Sequence, residues 1–267
     1  MIDRGDAAFM AGDRKELEIV YEDDEVVGVV KPAGLPTANA AAGAHSVYTA
    51  LRNRPPGGRF VGIVSRLDAA VSGIVVVAKT SGAAAALAEQ FRRRSIEKGY
   101  LAVVERRFPA PVGTWVDWHD MVLRRPNERR SELVRRPGGG AVTQSIHPED
   151  EDGEADSDGG ATGRPLPASA RARVLRRAGE VSLVELRPAT GRRHQLRLQL
   201  SARGCPIVGD RLYGARLPLG DGIALHARRL RFAHPRTAAI VELEAPLPAI
   251  WQRRFPALFA GEGDPGV

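Results

Sequence analysis

Cysteine is almost absent: Cys205 is the one thiol in 267 residues. That excludes an intramolecular disulfide and any cysteine-rich metal site, and it fits a reducing compartment. Cys205 itself is expected to be a small packed side chain, because nothing around it marks a nucleophile. Aromatics are scarce at 5%, and lysine is scarcer, with only Lys15, Lys31, Lys79 and Lys98 against 35 arginines. Long apolar runs are missing too. The longest, Gly73 to Ala78, is strand-sized and far short of the ~20 residues that cross a bilayer. The first twenty residues lack the basic-then-apolar order of a secretion signal. A soluble cytoplasmic protein without membrane contact is expected.

Familiar signatures are also missing. No GxxxxGK, HExxH or GxSxG occurs, so nucleoside-triphosphate and zinc-protease chemistries lose ground. The one GxGxxG match, Gly261 to Gly266, ends one residue before the C-terminus, where no helix can follow it to bind a dinucleotide. The six histidines, His45, His119, His147, His194, His226 and His234, form no pair at i, i+3 or i, i+4, and no metal site is expected.

What is present supports a sizeable core: 43% of residues are hydrophobic and 27% charged, at a length that suits one domain. The net charge is +7, with a pI near 10.1. Arginine forks suit phosphates and stack on bases, although an Arg-, Ala- and Gly-rich composition can equally reflect genome base composition. The acids are uneven: Glu149 to Asp158 packs seven carboxylates into ten residues, and without them the rest carries +14. Such a run cannot bury enough to pack, so a solvated acidic loop over about 148–168 is expected. Mimicry of RNA by this run is the less favoured reading.

Short β-like runs dominate. Leu17 to Tyr21 and Glu25 to Val30 flank an acidic turn as a hairpin. His45 to Arg54 has helical spacing, Gly73 to Lys79 reads as a buried strand, and Ser81 is placed to cap a helix reaching about Arg94. Glu97 to Glu105 is a strand containing Tyr100. Phe108 to Arg171 is the least regular stretch, with short strand candidates near Trp115, Val122 and Val142. Val181 to Arg187 is a strand, and Thr190-Gly191 turns into a helix near His194 to Arg203, which sets Arg193 and Arg197 on one side opposite Leu196 and Leu200. Ala224 to Phe232 and Ala239 to Ala245 are closing strands. Strands outnumber helices without βαβ alternation, so the class is α+β with a mixed, mainly antiparallel sheet flanked by helices.

Five segments stand out in order: Lys31-Pro-Ala-Gly-Leu35; Ser65-Arg-Leu-Asp68-Ala-Ala-Val-Ser-Gly73; Lys98-Gly-Tyr100-Leu-Ala102; Thr190-Gly-Arg-Arg-His-Gln-Leu-Arg197; and Gly204-Cys-Pro-Ile-Val-Gly-Asp210 followed by Leu212-Tyr-Gly214. Together they resemble the pseudouridine synthases, specifically the branch acting on large ribosomal and transfer RNA through an H-R-L-D-x-x-T-S-G motif. The resemblance runs from about Leu17 to Ala245. It implies one catalytic domain over 17–250, with a short extension at 1–16, a tail at 251–267, no room before Leu17 for an appended RNA-binding module, and an active-site cleft across the sheet.

The resemblance also implies roles. Asp68 matches the essential aspartate that attacks or deprotonates the ribose of a target uridine, so that the glycosidic bond moves from N1 to C5. Tyr100 matches the tyrosine packed on the base and proposed to help remove the C5 proton. Arg197 matches the basic partner of the aspartate, and Arg66 the arginine filling the gap left by the flipped nucleotide. Arg193, His194 and Gln195 are expected at the substrate. The implied partner is rRNA or tRNA, bound by a monomer without metal or organic cofactor. These roles meet the chemistry: a stacked base must be flipped out, and a carboxylate nucleophile must be kept ionised, which an opposite charge promotes.

The chain departs from the motif at Ser65, where the family has His, and at Val71, where it has Thr; Ala69 and Ala70 replace residues that are often polar. An alternative is therefore a catalytically weak or inactive RNA-binding or ribosome-assembly factor on the same fold. A glycoside hydrolase is disfavoured, because Asp68 has no evident second acid.

Overall fold

The computed structural model describes residues 17–38, 44–55, 60–124, 130–134 and 164–260. The acidic run, Val142, the extension at 1–16 and the Gly261 to Gly266 match lie outside them.

The described chain forms one eleven-stranded sheet with five short helices. In order these are β1 Glu18–Glu22, β2 Val26–Lys31, α1 Val47–Arg52, β3 Gly62–Ile63, β4 Ser72–Ala78, α2 Ser81–Arg92, β5 Glu97–Glu105, β6 Trp115–Arg124, β7 Ser131–Val134, β8 Leu166–Ala178, β9 Val181–Pro188, α3 Gln195–Ala202, β10 Leu225–Ala233, β11 Ile240–Glu244, α4 Ala249–Arg254 and α5 Pro256–Phe259. The sheet runs β1-β2-β4-β10-β5-β9-β8-β6-β7, with β3 on β4 and β11 on β10. Every pairing between named strands is antiparallel except β4 with β10, which pairs His226 with Ser72 and Ala227 with Gly73. The mixed, mainly antiparallel α+β sheet expected from the sequence is what forms.

The parallel junction lies where the loop carrying Asp68 enters β4. Gly73 has φ +119°, and a Cβ there would run into the backbone N and O of Ala227. Only glycine lets β4 and β10 approach so closely with that dihedral. All seven residues of β4 are buried, because Val75 and Val77 pack toward α1 with Val47 and Leu51, while Ile74, Val76 and Ala78 pack toward α2 with Ala83 and Leu87. A strand covered on both faces loses polar alternation, which is why it reads as a continuous apolar run.

Several local expectations are corrected. The cap of α2 is Thr80, not Ser81; its side chain accepts from the Ala83 amide. The described parts of 108–171 are more regular than its composition suggests, since β6 is ten residues long and β8 runs for thirteen from Leu166, inside the end of the expected loop. Burial in β8 alternates, but arginines occupy its outward positions and small alanines its inward ones, so apolar periodicity underreports it. Past residue 250, Trp251 of α4 and Leu258 of α5 are buried in the main cluster with Leu101, Leu183 and Ile207. Finally, α3 begins at Gln195, and residues 195–200 are all buried. Arg193 precedes the helix, so the expected i, i+4 pairing of Arg193 with Arg197 on one helix side does not form.

Candidate active site

Asp68 sits on a short loop leading into β4, and almost every residue around it is pinned. The Thr37 hydroxyl donates to the Leu67 carbonyl at 3.0 Å and accepts from its amide at 3.2 Å. The Gly34 amide donates to the Ala69 carbonyl at 2.8 Å, the Ile223 amide to the Ala70 carbonyl at 3.0 Å, and the Val71 amide to the Asp68 carbonyl at 3.0 Å. Lys31, fully buried, donates its ammonium to the carbonyls of Leu35 at 2.7 Å and of Pro32 and Ala69 at 3.1 Å. Burial lowers the Lys31 pKa to about 8, and the Asp68 charge acts against that fall. Val71 is buried in the main cluster, so the valine in place of threonine is accommodated as core.

Arg197 meets this loop from α3. Its Nη1 donates to Asp68 Oδ2 at 2.9 Å, while Nε and Nη2 donate to the two oxygens of Asp210 at 2.7 and 2.9 Å. Asp210 is 1% exposed, so the fork on that side is a fixed bidentate pair. Burial alone would lower the Arg197 pKa, but Asp210 and Asp68 outweigh it and the net shift is upward. The guanidinium also lies over the Tyr213 ring, 5.1 Å from its centroid.

His194 is held in the left-handed region at φ +57° as α3 begins. Its Nδ1 is 3.0 Å from the Tyr213 hydroxyl, which accepts from the Ser131 amide at 3.0 Å. Its Nε2 is 3.6 Å from Asp68 Oδ2. Burial, together with Arg197 and Arg193, brings its pKa down to about 4. A neutral ring accepting from Tyr213 at Nδ1 carries its proton on Nε2, facing Asp68. Both partners thus converge on Oδ2.

Tyr100 lies half-buried on β5, opposite Ala227 and Leu186. Burial and the Asp68 charge push its pKa to about 12, so it is a phenol at neutral pH. Arg66 is exposed two residues before Asp68, and Arg193 is exposed in the turn before α3. Gln195, expected at the substrate, opens α3. It is buried, with its oxygen accepting from the Thr190 hydroxyl at 2.7 Å and the Arg192 amide at 3.0 Å, while its nitrogen donates to the Ser169 carbonyl at 3.1 Å. It shapes the turn that presents His194.

The arrangement therefore unites Asp68, Tyr100, Arg197 and His194, with Arg66 and Arg193 outside. Asp210 and Tyr213 stand in the Gly204 to Gly214 segment, where the sequence alone assigns them no role. Their signal was a buried-type acid and aromatic three residues apart in a glycine-bounded turn, and only the fold shows what they face. Among the described residues no group of three or more His, Cys, Asp or Glu side chains could hold a metal ion, and no helix is long and apolar enough to cross a membrane.

The profile of the RNA pseudouridylate synthase family matches residues 25–202. A ribosomal large subunit pseudouridine synthase D from Xanthomonas campestris pv. campestris is 34% identical over 265 residues, covering 91% of this chain and 69% of the relative. A synthase C from Vibrio cholerae is 33% identical, covering 88% and 67%. The chain thus spans about two thirds of the length of these relatives. Among solved structures, human RNA pseudouridylate synthase domain containing 1 superposes with a TM-score of 0.64 at 26% identity, covering 92% of this chain and 95% of that one. Human RNA pseudouridylate synthase domain containing 4 shares the fold, with a TM-score of 0.66 at 24% identity and coverage of 91% and 93%. With a matched profile across most of the sheet and relatives of this similarity, the chain belongs to the RNA pseudouridylate synthase family, enzymes that isomerise uridine in RNA.

Proposed function

We propose that Asp68 is the catalytic carboxylate, acting on a uridine flipped out of ribosomal RNA. The observation that carries this is the asymmetry of its carboxylate: Arg197 and His194 both address Oδ2, leaving Oδ1 as the oxygen able to act. Arg197 keeps the group ionised while Asp210 fixes the arginine. From there Oδ1 either adds to C1′ of the ribose or takes a ribose proton. The N1–C1′ bond breaks, the uracil turns in place, C5 bonds to C1′ as the Asp68 ester is displaced or the ribose proton is handed back, and the C5 proton leaves while N1 takes one up. Atoms balance within the substrate, so no cofactor is consumed.

Tyr100 stacks on the uracil, an interaction worth about 1–3 kcal/mol per base. As a phenol it donates a hydrogen bond, and it can take up the C5 proton only after passing on its own. Arg66 enters the gap left by the flipped nucleotide, and Arg193 contacts the flanking backbone. We place the reaction in the cytoplasm, carried out by a monomer. Large-subunit ribosomal RNA is the proposed substrate because the similar bacterial relatives bear that name.

The test is pseudouridine mapping on ribosomal RNA from a strain lacking this protein, treated with purified wild type or Asp68→Asn. Wild type should modify discrete uridines, and Asp68→Asn should bind the RNA without modifying it. Modification by Asp68→Asn overturns the catalytic assignment, and binding without modification by the wild type points instead to an assembly factor.

A further inference from the structure

Lys98 lies two residues before Tyr100 on β5, so its side chain leaves the strand on the same face, about 7 Å along. Its Nζ makes one long hydrogen bond, 3.4 Å to the Thr190 carbonyl. No carboxylate pairs with it among the described residues, and the charge acting on it is another cation, Arg94. Lys31 makes the contrast: buried more completely, it is surrounded by three carbonyl acceptors. Burial, and then Arg94, lower the Lys98 pKa to about 8. Facing the ammonium is Gly191, an exposed residue of the turn leading to His194, whose absent Cβ would stand 3.9 Å from Nζ.

A half-buried cation with a like charge beside it and no counter-ion is an unfavourable arrangement for the free protein, and an incoming anion relieves it. Glu97, the acid next to Lys98 on β5, leaves the strand on the other face and pairs with Arg231. RNA offers its anion at regular spacing, one phosphate per nucleotide.

We propose that Lys98, against the Gly191 backbone at the rim of the cleft, binds a backbone phosphate of the RNA beside the flipped nucleotide. This rests on the reading of the cleft as the uridine site. The phosphate contact positions the strand so that the ribose reaches Asp68, and Lys98 takes no part in bond breaking.

Transcribed large-subunit ribosomal RNA is titrated against wild type, Lys98→Met and Lys98→Arg over a range of salt concentrations, with thermal melting of each protein alone. Each phosphate neutralised contributes roughly 0.7 to 0.9 to the slope of log affinity against log salt. Lys98→Met should lower that slope by about one, weaken binding about tenfold at low salt, and melt no lower than wild type, because an unpaired cation has been removed. Lys98→Arg should keep the slope. A Lys98→Met protein with the wild-type slope overturns the proposal: weaker binding would then mean a contact to uracil or a hydroxyl, and a lower melting temperature would mean a structural role. Asp68→Asn in the same titration separates the two ideas. If it forms pseudouridine, the catalytic reading falls while the slope measurement on Lys98 still stands.

Discussion

Two arginine–carboxylate clusters, each with an aromatic ring, occupy opposite faces of the same sheet. Tyr100 pairs with Leu186 and its neighbour Leu101 with Glu185; successive strand residues alternate faces, so Glu185 lies on the side away from the cleft. There one fully buried acid, Glu185, is held by Arg173 and Arg187, with Arg187 at 2.9 Å. Those two arginines and Arg171 gather around Trp115 at 4.7 to 5.2 Å. In the cleft the proportions are reversed: one buried arginine serves two acids beside Tyr213. Two cations on one acid leave no carboxylate oxygen wanting a partner. One cation between two acids leaves Asp68, 30% exposed, with an oxygen to spare. Similar components make a structural rivet on one face and a reactive group on the other.

The largest effect expected from breaking this contrast is on rate. Asp68→Asn should lower pseudouridine formation by at least roughly 10⁴-fold, as loss of a covalent or basic group does, with melting nearly unchanged because Asp210 still holds Arg197. Next, Arg197→Met should destabilise the fold by about 3–5 kcal/mol, since it strands a buried carboxylate; urea denaturation measures this, and Arg197→Lys should not restore activity because it lacks the bidentate fork. On the other face, Glu185→Gln should lower stability by about 1–2 kcal/mol, its arginines having access to water, and leave the turnover rate as it was. A fall in turnover there would show that the two faces are coupled.

The smallest effect concerns pH. The folded His194 pKa, near 4, is below the unfolded value, so between about pH 6.5 and 4 the unfolded chain binds more protons and stability falls as pH falls. His194→Asn should flatten part of that decline in denaturation curves measured across the window. His226, whose pKa is lowered to about 3 by burial and Arg228, keeps its own share. An unchanged pH profile would mean that His194 is not buried neutral.

The candidate residues were legible only through the resemblance their segments carry. Residue type and spacing alone read Asp68 as a turn acid before an apolar strand, Tyr100 as a core ring and Arg197 as a helix charge. Whether Gln195 faces substrate or shapes its loop could not be read from sequence, because its partners Thr190 and Arg192 in the turn, Ser169 on β8 and Gln199 on α3 are brought together only by the fold. Arg193 and Arg197 do not share a helix side, because α3 begins only at Gln195. Helical spacing fixes which residues share a side, but which side is buried depends on the carboxylates that the rest of the chain delivers.

The same divide runs through the fold. Composition and apolar patterning determined an α+β domain with a buried strand at 73–78, because burial of apolar side chains is a property each segment carries with it. The sequence also determined that β4 could approach β10, since Gly73 carries no Cβ. Only the tertiary structure decided that Asp210, thirteen residues from Arg197, would lock it against an aspartate 129 residues away. It alone decided as well that Glu185 would be saturated while Asp68 is not. Whether a charge is paired or poised depends on the count of opposite charges within a few ångströms, and strand order, which no local pattern encodes, sets that count.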